Sequence, residues 1–261
     1  MSAGLTIEML YPEIGNLHGD NANIEYLAQC RPGSQIIRTG LTDVPAFTSR
    51  QVDLLYLGPM TEEGQLKVID RLRPHSSALR TRIESGAVTL FTHNALEVLG
   101  SRILNDAMAY DVSALGIFDF VTHVNMTDRY NGKVMGSVSE VGAVDPILGY
   151  KSQFSMIEGG DDLPGFLTAE RGIGRNRSTS VEGVRVANFF GTSLIGPLLT
   201  TNPYFTKALL RLVDPHTEAV LAHEEFAIQA YNLRLEQFRR PSSWFPEERV
   251  QPNPERNGAV R

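Results

Sequence analysis

Apolar and polar positions along the first hundred residues alternate between two periods, and each switch marks an element. Leu5 to Leu10 reads as a first strand that ends at Tyr11-Pro12, and the turn-rich loop Asn16-Leu17-His18-Gly19-Asp20-Asn21-Ala22-Asn23 leads into a helix through Cys30. Ser34 to Arg38 and Val52 to Leu57 are the next strands, the second running into Gly58-Pro59-Met60-Thr61. Helical spacing fills Glu62 to Ser85 with a break at Pro74. Val88 to Phe91 is a short buried strand, and Leu96 and Leu99 follow at helical spacing behind Asn94, an N-cap type residue. A strand that turns directly into a helix lifts its turn residue above the sheet and aims helix N–H groups at whatever binds there, which suits a nucleophile or an anion. Here the turn residue is His93; an ordinary strand-to-helix junction without chemistry gives the same pattern.

Strand and helix in this rhythm predict a parallel sheet with right-handed crossovers, whose ligands collect at the carboxyl ends of the strands. The loops after Leu10, Leu57 and Phe91 then share one edge. Past Gly100 the rhythm changes: Gly116 to Thr122, Lys133 to Val138, Ile147 to Met156 and Val184 to Phe190 read as strands without long helices between them, an antiparallel extension of the same domain. Asp161-Asp162 and Gly172 to Ser180 read as exposed loops. Gly191 to Leu199 closes the body, followed by helices at Pro203 to Val213 and about Glu218 to Arg239, the second with Leu221, Ile228, Tyr231, Leu235 and Phe238 on one stripe. The expected organisation is therefore an α/β domain over 1–213, a helix over 214–239 that packs on the domain or on a partner, and a proline-rich disordered tail over 240–261 with Trp244-Phe245 as its apolar handle.

Composition narrows the function classes. Apolar residues at 42% and charged residues at 21% are those of an ordinary globular chain, and no apolar run is long enough to span a bilayer, so membrane insertion is not expected. The start of the chain lacks a secretory signal pattern, so a cytoplasmic location is expected. A net charge of −6 without basic clusters argues against nucleic acid. The single cysteine, Cys30, excludes an internal disulfide and a multi-cysteine metal site, and its helical setting reads as packing. Gly172-Ile173-Gly174 is not followed by a helix pattern and is no dinucleotide loop, and His223-Glu224-Glu225 lacks the second histidine of a zinc-protease helix. No cofactor and no metal are expected, although His18 and His93 fall on loops of the same sheet edge.

Five segments in order carry a resemblance: Leu10-Tyr11-Pro12 with Asn16 to Ile24; Asp53 to Gly58 with its loop; Leu90 to Gly100; Leu115-Gly116-Ile117-Phe118-Asp119-Phe120; and Gly191 to Leu199 with Asn202-Pro203. Together they resemble class I glutamine amidotransferases of the CobB/CobQ type, and among these the GatD-type glutaminase subunits of lipid II isoglutaminyl synthase, over Leu5 to Leu212. The resemblance implies a flavodoxin-like parallel-sheet domain. It also implies glutamine hydrolysis by a cysteine at the strand-to-helix elbow, with a histidine base near the end of the body and backbone N–H donors around the oxyanion.

At each of these places this chain departs from the pattern. His93 stands where the family has its cysteine, Asn94 and Ala95 replace the glycines after it, and Ile195 stands at the base position in Gly191-Thr192-Ser193-Leu194-Ile195-Gly196-Pro197. Gly58 is followed by Pro59, which has no N–H to offer an oxyanion. Arg129 falls where the family has an arginine for the substrate carboxylate, a solvated loop arginine being the plain alternative. Lys151 is a candidate for the positive charge of a His-Gly-Gly-Arg type segment that is otherwise lost, the plain alternative being a surface lysine. Candidate ligand-binding residues are thus Arg129, Gly58, Asn94 and Lys151, and Thr92 or Ser193 with His93 is a possible hydroxyl-histidine pair without a visible orienting acid.

The resemblance further implies a heterodimer with a Mur-ligase-like (MurT-type) subunit that amidates the peptidoglycan stem peptide with ATP. The expectation is a non-catalytic descendant of the glutaminase subunit. Two others stand beside it: an active glutaminase subunit in which Cys30 reaches the elbow, and a stand-alone module that binds glutamine, another amino acid or a peptide through Arg129.

Overall fold

The computed structural model describes residues 4–105, 110–138 and 145–240. In chain order its elements are β1 (Thr6–Leu10), α1 (Ala22–Cys30), β2 (Gln35–Thr39), β3 (Leu54–Leu57), α2 (Glu62–Leu72), α3 (Ser76–Glu84), β4 (Thr89–Thr92), β5 (Arg102–Asn105), β6 (Tyr110–Ser113), β7 (Phe120–Val124) and β8 (Tyr130–Ser137). Then follow β9 (Ile147–Gln153), β10 (Ser155–Gly159), β11 (Leu167–Arg171), β12 (Val181–Glu182), β13 (Val184–Val186), β14 (Phe189–Thr192), α4 (Leu198–Thr201), α5 (Pro203–Val213) and α6 (Glu224–Arg239).

The main sheet has the order β13-β14-β4-β3-β1-β2, parallel except for β13, which pairs antiparallel with β14. β3 and β4 are buried at every position because helices cover both faces, which is why they read as unbroken apolar runs. Ile7, Met9, Leu54, Tyr56, Leu90 and Phe190 pack on one face with Ile24, Leu27 and Leu209, while Leu55, Leu57, Phe91 and Phe189 meet Val68, Ile69, Leu79 and Ile83 on the other. Pro74 divides the helical stretch as expected, since it lacks an N–H: a 3-10 turn over Arg73–His75 joins α2 to α3.

Beyond β4 the extension forms two four-stranded sheets, β10-β7-β5-β6 and β12-β11-β8-β9. It is antiparallel apart from the β5–β7 pair. The run Ile147 to Met156, read as a single strand, is two that belong to different sheets, and β5, β6 and β11 carry no strong apolar alternation. The expected exposed loop Gly172 to Ser180 is a correction: Arg175 is buried and donates to the carbonyls of Gly183, Gly160 and Leu163 at 2.6–2.7 Å. Five N–H donors on one planar group satisfy loop carbonyls that no sheet reaches.

The last helix begins at Glu224 rather than near Glu218, and it docks on β9 through Tyr231, Leu235, Phe238 and Leu148. Tyr231 donates to the Pro146 carbonyl at 2.7 Å, and Arg171 caps the helix end at the carbonyls of Phe238 and Arg240. The expected tail from 241 onward, with Trp244-Phe245, lies outside the described residues. Among the described residues no helix is long and apolar enough to cross a membrane.

Candidate functional site

β1, β3, β4 and β14 deliver their following loops to one sheet edge, and the pairing of Thr92 with Thr192 sets the elbow directly beside the closing motif. The elbow itself differs from expectation. Instead of an α-helix capped by Asn94, two 3-10 turns follow β4, at His93–Ala95 and Glu97–Leu99, so no long helix dipole points at the site. His93 adopts a left-handed backbone with φ 53°, a conformation costing a non-glycine residue about 1–3 kcal/mol and held only by strong surroundings.

Those surroundings are polar and buried. Asn94 accepts the Met60 N–H at 3.0 Å and donates to the Met60 carbonyl at 2.8 Å, clamping the loop after β3 to the elbow. The N–H of the residue after Pro59 is therefore consumed. Gln65 donates to the Asn94 carbonyl and to Glu97, both at 2.9 Å, and Ser155 donates to the other oxygen of Glu97. Burial raises the Glu97 carboxyl above its ordinary range, opposed by its bonds to Ser155 and Gln65. Gly58 is a point of close approach, since a Cβ there would lie 2.2 Å from the Gly15 carbonyl oxygen.

The His93 ring reaches the Ser152 carbonyl with Nε2 at 3.3 Å. A carbonyl only accepts, so Nε2 carries the proton in the neutral ring, and Nδ1 presents a buried lone pair without a hydrogen bond of normal geometry. The His18 ring meets it edge-on at a centroid distance of 5.6 Å. Beneath lies Asp20, fully buried, whose Oδ1 takes contacts from Thr92 at 3.2 Å, Asn23 at 3.3 Å and Tyr56 at 3.4 Å. Burial pushes the Asp20 carboxyl up, and Oδ2 has no partner.

Burial also holds the His93 imidazole at a pKa of about 4, despite the Ser152 hydrogen bond that favours the charged ring. In the unfolded chain a histidine titrates near 6.5, so between these values the unfolded state binds the proton that the native state refuses. Stability present above about pH 6.5 is lost as pH falls toward 4, on the order of 3 kcal/mol. Urea titrations of the wild type and of His93→Asn, whose side chain tolerates a left-handed backbone, are expected to diverge by most of that amount between pH 7 and 4.5. A gap independent of pH would show the ring to be charged or solvated in the fold.

Ile195 forms an isolated bridge with Tyr150, its N–H donating to the Tyr150 carbonyl at 2.8 Å; its side chain has no atom that could take a proton. Lys151 is not a surface lysine. Its amine is buried, donates to the Gly174 carbonyl at 2.6 Å and lies 3.4 Å from Glu182. Glu182 in turn accepts from the Thr192 hydroxyl at 2.9 Å and the Ser193 N–H at 2.8 Å, so this pair props the closing motif from below. Arg129 is exposed at the end of the β8–β9 hairpin, stacked over Phe154 at 4.4 Å, with no hydrogen bond to the elbow. Cys30 sits at the far end of α1, next to the start of β2 and hence at the opposite edge of the sheet, where its sulfur accepts the Ala222 N–H and burial pushes its thiol up. Asp20, Glu97 and Glu182 escaped sequence reasoning because each reads as an ordinary loop, turn or strand carboxylate until the fold buries it.

Among the described residues no three His, Cys, Asp or Glu side chains form a ready metal cage. No family model matches the chain. It is 27% identical over 212 residues to the GatD subunit of glutamine-hydrolysing lipid II isoglutaminyl synthase from Staphylococcus aureus, covering 79% of this chain and 83% of that one. The corresponding subunit of Streptococcus pneumoniae is 23% identical over 201 residues, 76% of each chain. A solved glutamine amidotransferase superposes with a TM-score of 0.51 at 12% identity, covering 79% of this chain and 98% of its own. The shared sequence and the parallel sheet with its elbow after β4 make this chain a class I glutamine amidotransferase-like protein resembling GatD.

Proposed function

We propose that the chain is a non-catalytic GatD-like subunit that partners a Mur-ligase-like enzyme of peptidoglycan stem-peptide amidation, keeping the amidotransferase fold without hydrolysing glutamine. The observation that carries this reading is the elbow: a half-buried histidine occupies the left-handed turn position, and the side chain of Asn94 takes up the Met60 N–H that faces it. Thioester chemistry needs a thiolate at the turn, a base to make it and free N–H donors for the oxyanion. Imidazole supplies no thiolate and isoleucine no base, and in the loop after β3 Pro59 has no N–H and that of Met60 is taken by Asn94. The GatD relatives are named as subunits of a synthase, which supports a partner for this chain as well.

Glutamate release from glutamine is expected to stay at background for the purified chain alone and for the chain mixed with the Mur-ligase-like product of a neighbouring gene. Co-purification of the two is expected at equal stoichiometry. Glutamine hydrolysis above background overturns the non-catalytic reading, and failure to co-purify overturns the subunit reading.

A further inference from the structure

We propose that His18 and His93 form a binding site for a borderline-soft divalent metal ion, of which Zn2+ is the type, at the mouth of the elbow. Their ring centroids lie 5.6 Å apart at an interplanar angle of 67°. With metal–nitrogen bonds of about 2.1 Å, two imidazoles that share one ion hold their centroids roughly 5 to 6 Å apart, the separation seen here.

The protonation pattern fits the same ligand. His93 donates its Nε2 hydrogen to a backbone carbonyl, which is how metal-ligating histidines are oriented, and this leaves Nδ1 as a buried lone pair without a hydrogen bond of normal geometry. A buried acceptor without a donor costs free energy that a metal ion recovers. Neither ring nitrogen of His18 makes a hydrogen bond among the described residues, and its turn, Asn16 to Gly19, is exposed, so this ring can adjust. Two imidazoles and solvent make an open site rather than a closed structural one, suited to ions that favour imidazole over carboxylate cages. Binding ties the exposed 16–19 turn to the elbow and closes the site from above. This inference does not depend on the proposed subunit role.

The test uses the untagged full-length chain with Co2+ or Zn2+ as the probe, read by the visible absorption of bound Co2+ and by calorimetry with Zn2+. One equivalent is expected to bind to the wild type and to raise its Tm. His18→Gln, on an exposed turn that leaves the fold intact, is expected to weaken binding at least tenfold and to abolish the Tm shift, and His93→Gln to do the same. His216→Gln is expected to bind as the wild type does. No binding to the wild type, or unchanged affinity in His18→Gln, overturns the site and leaves the two rings as an aromatic contact only.

Discussion

Lys151→Met is expected to destabilise the fold by about 3 to 5 kcal/mol, the cost of leaving a buried charge without its partner. The lysine side chain is fully buried, as is Glu182, and the two are 3.4 Å apart. Burial pulls the amine below its ordinary range while Glu182 pushes it back, so the pair survives only as a pair. Methionine fills the same volume but leaves Glu182 with the Thr192 hydroxyl and the Ser193 N–H as its hydrogen bonds and with only the more distant Arg175 as an opposite charge. Because Glu182 holds the first residues of the closing motif, the loss is expected at the elbow as well as in the global urea midpoint. Lys151→Met with Glu182→Gln removes both charges and is expected to recover about 1 to 3 kcal/mol, the size of coupling between groups in contact. A double-variant loss equal to the sum of the losses in Lys151→Met and in Glu182→Gln alone would mean that the two charges do not interact.

Restoring the two missing side chains is expected not to restore the reaction. His93→Cys with Ile195→His returns the family's nucleophile and base, yet the Met60 N–H remains bonded to Asn94 at 3.0 Å and Pro59 has none to give. An oxyanion donor contributes on the order of 10²–10³ in rate, so the double variant stays near background. Adding Asn94→Gly removes the clamp and frees the Met60 N–H, and the triple variant is expected to hydrolyse glutamine about 10²–10³ times faster than the double, measured as glutamate released. The comparison is internal, so the slow absolute rate of either enzyme does not matter. Equal rates in the two variants would place the oxyanion donors elsewhere than Met60.

The parallel body was legible in the chain because its strands are short apolar runs buried on both faces, separated by helices with one apolar side, and such patterns need no distant partner to be read. The order of these elements places the loops after Leu10, Leu57 and Phe91 on one edge, and the residues at those loops were nameable from the family pattern. What followed Gly100 was harder. β5 and β11 pair with β7 and β8 as well as with their chain neighbours, and the alternation of β5, β6 and β11 is weak.

Residue identity alone determined that no thiol stands at the elbow, that no imidazole stands at position 195 and that the loop after β3 carries a proline. Tertiary structure decided what those positions do. Asn94 reads as a helix cap, and the fold makes it a clamp across the Met60 peptide. Lys151 reads as a surface charge, yet the β8–β9 hairpin carries it inward to Glu182, a residue 31 positions away. The physical reason is the same in each case: hydrophobic periodicity is written locally, whereas the partner that satisfies a buried polar group comes from another element.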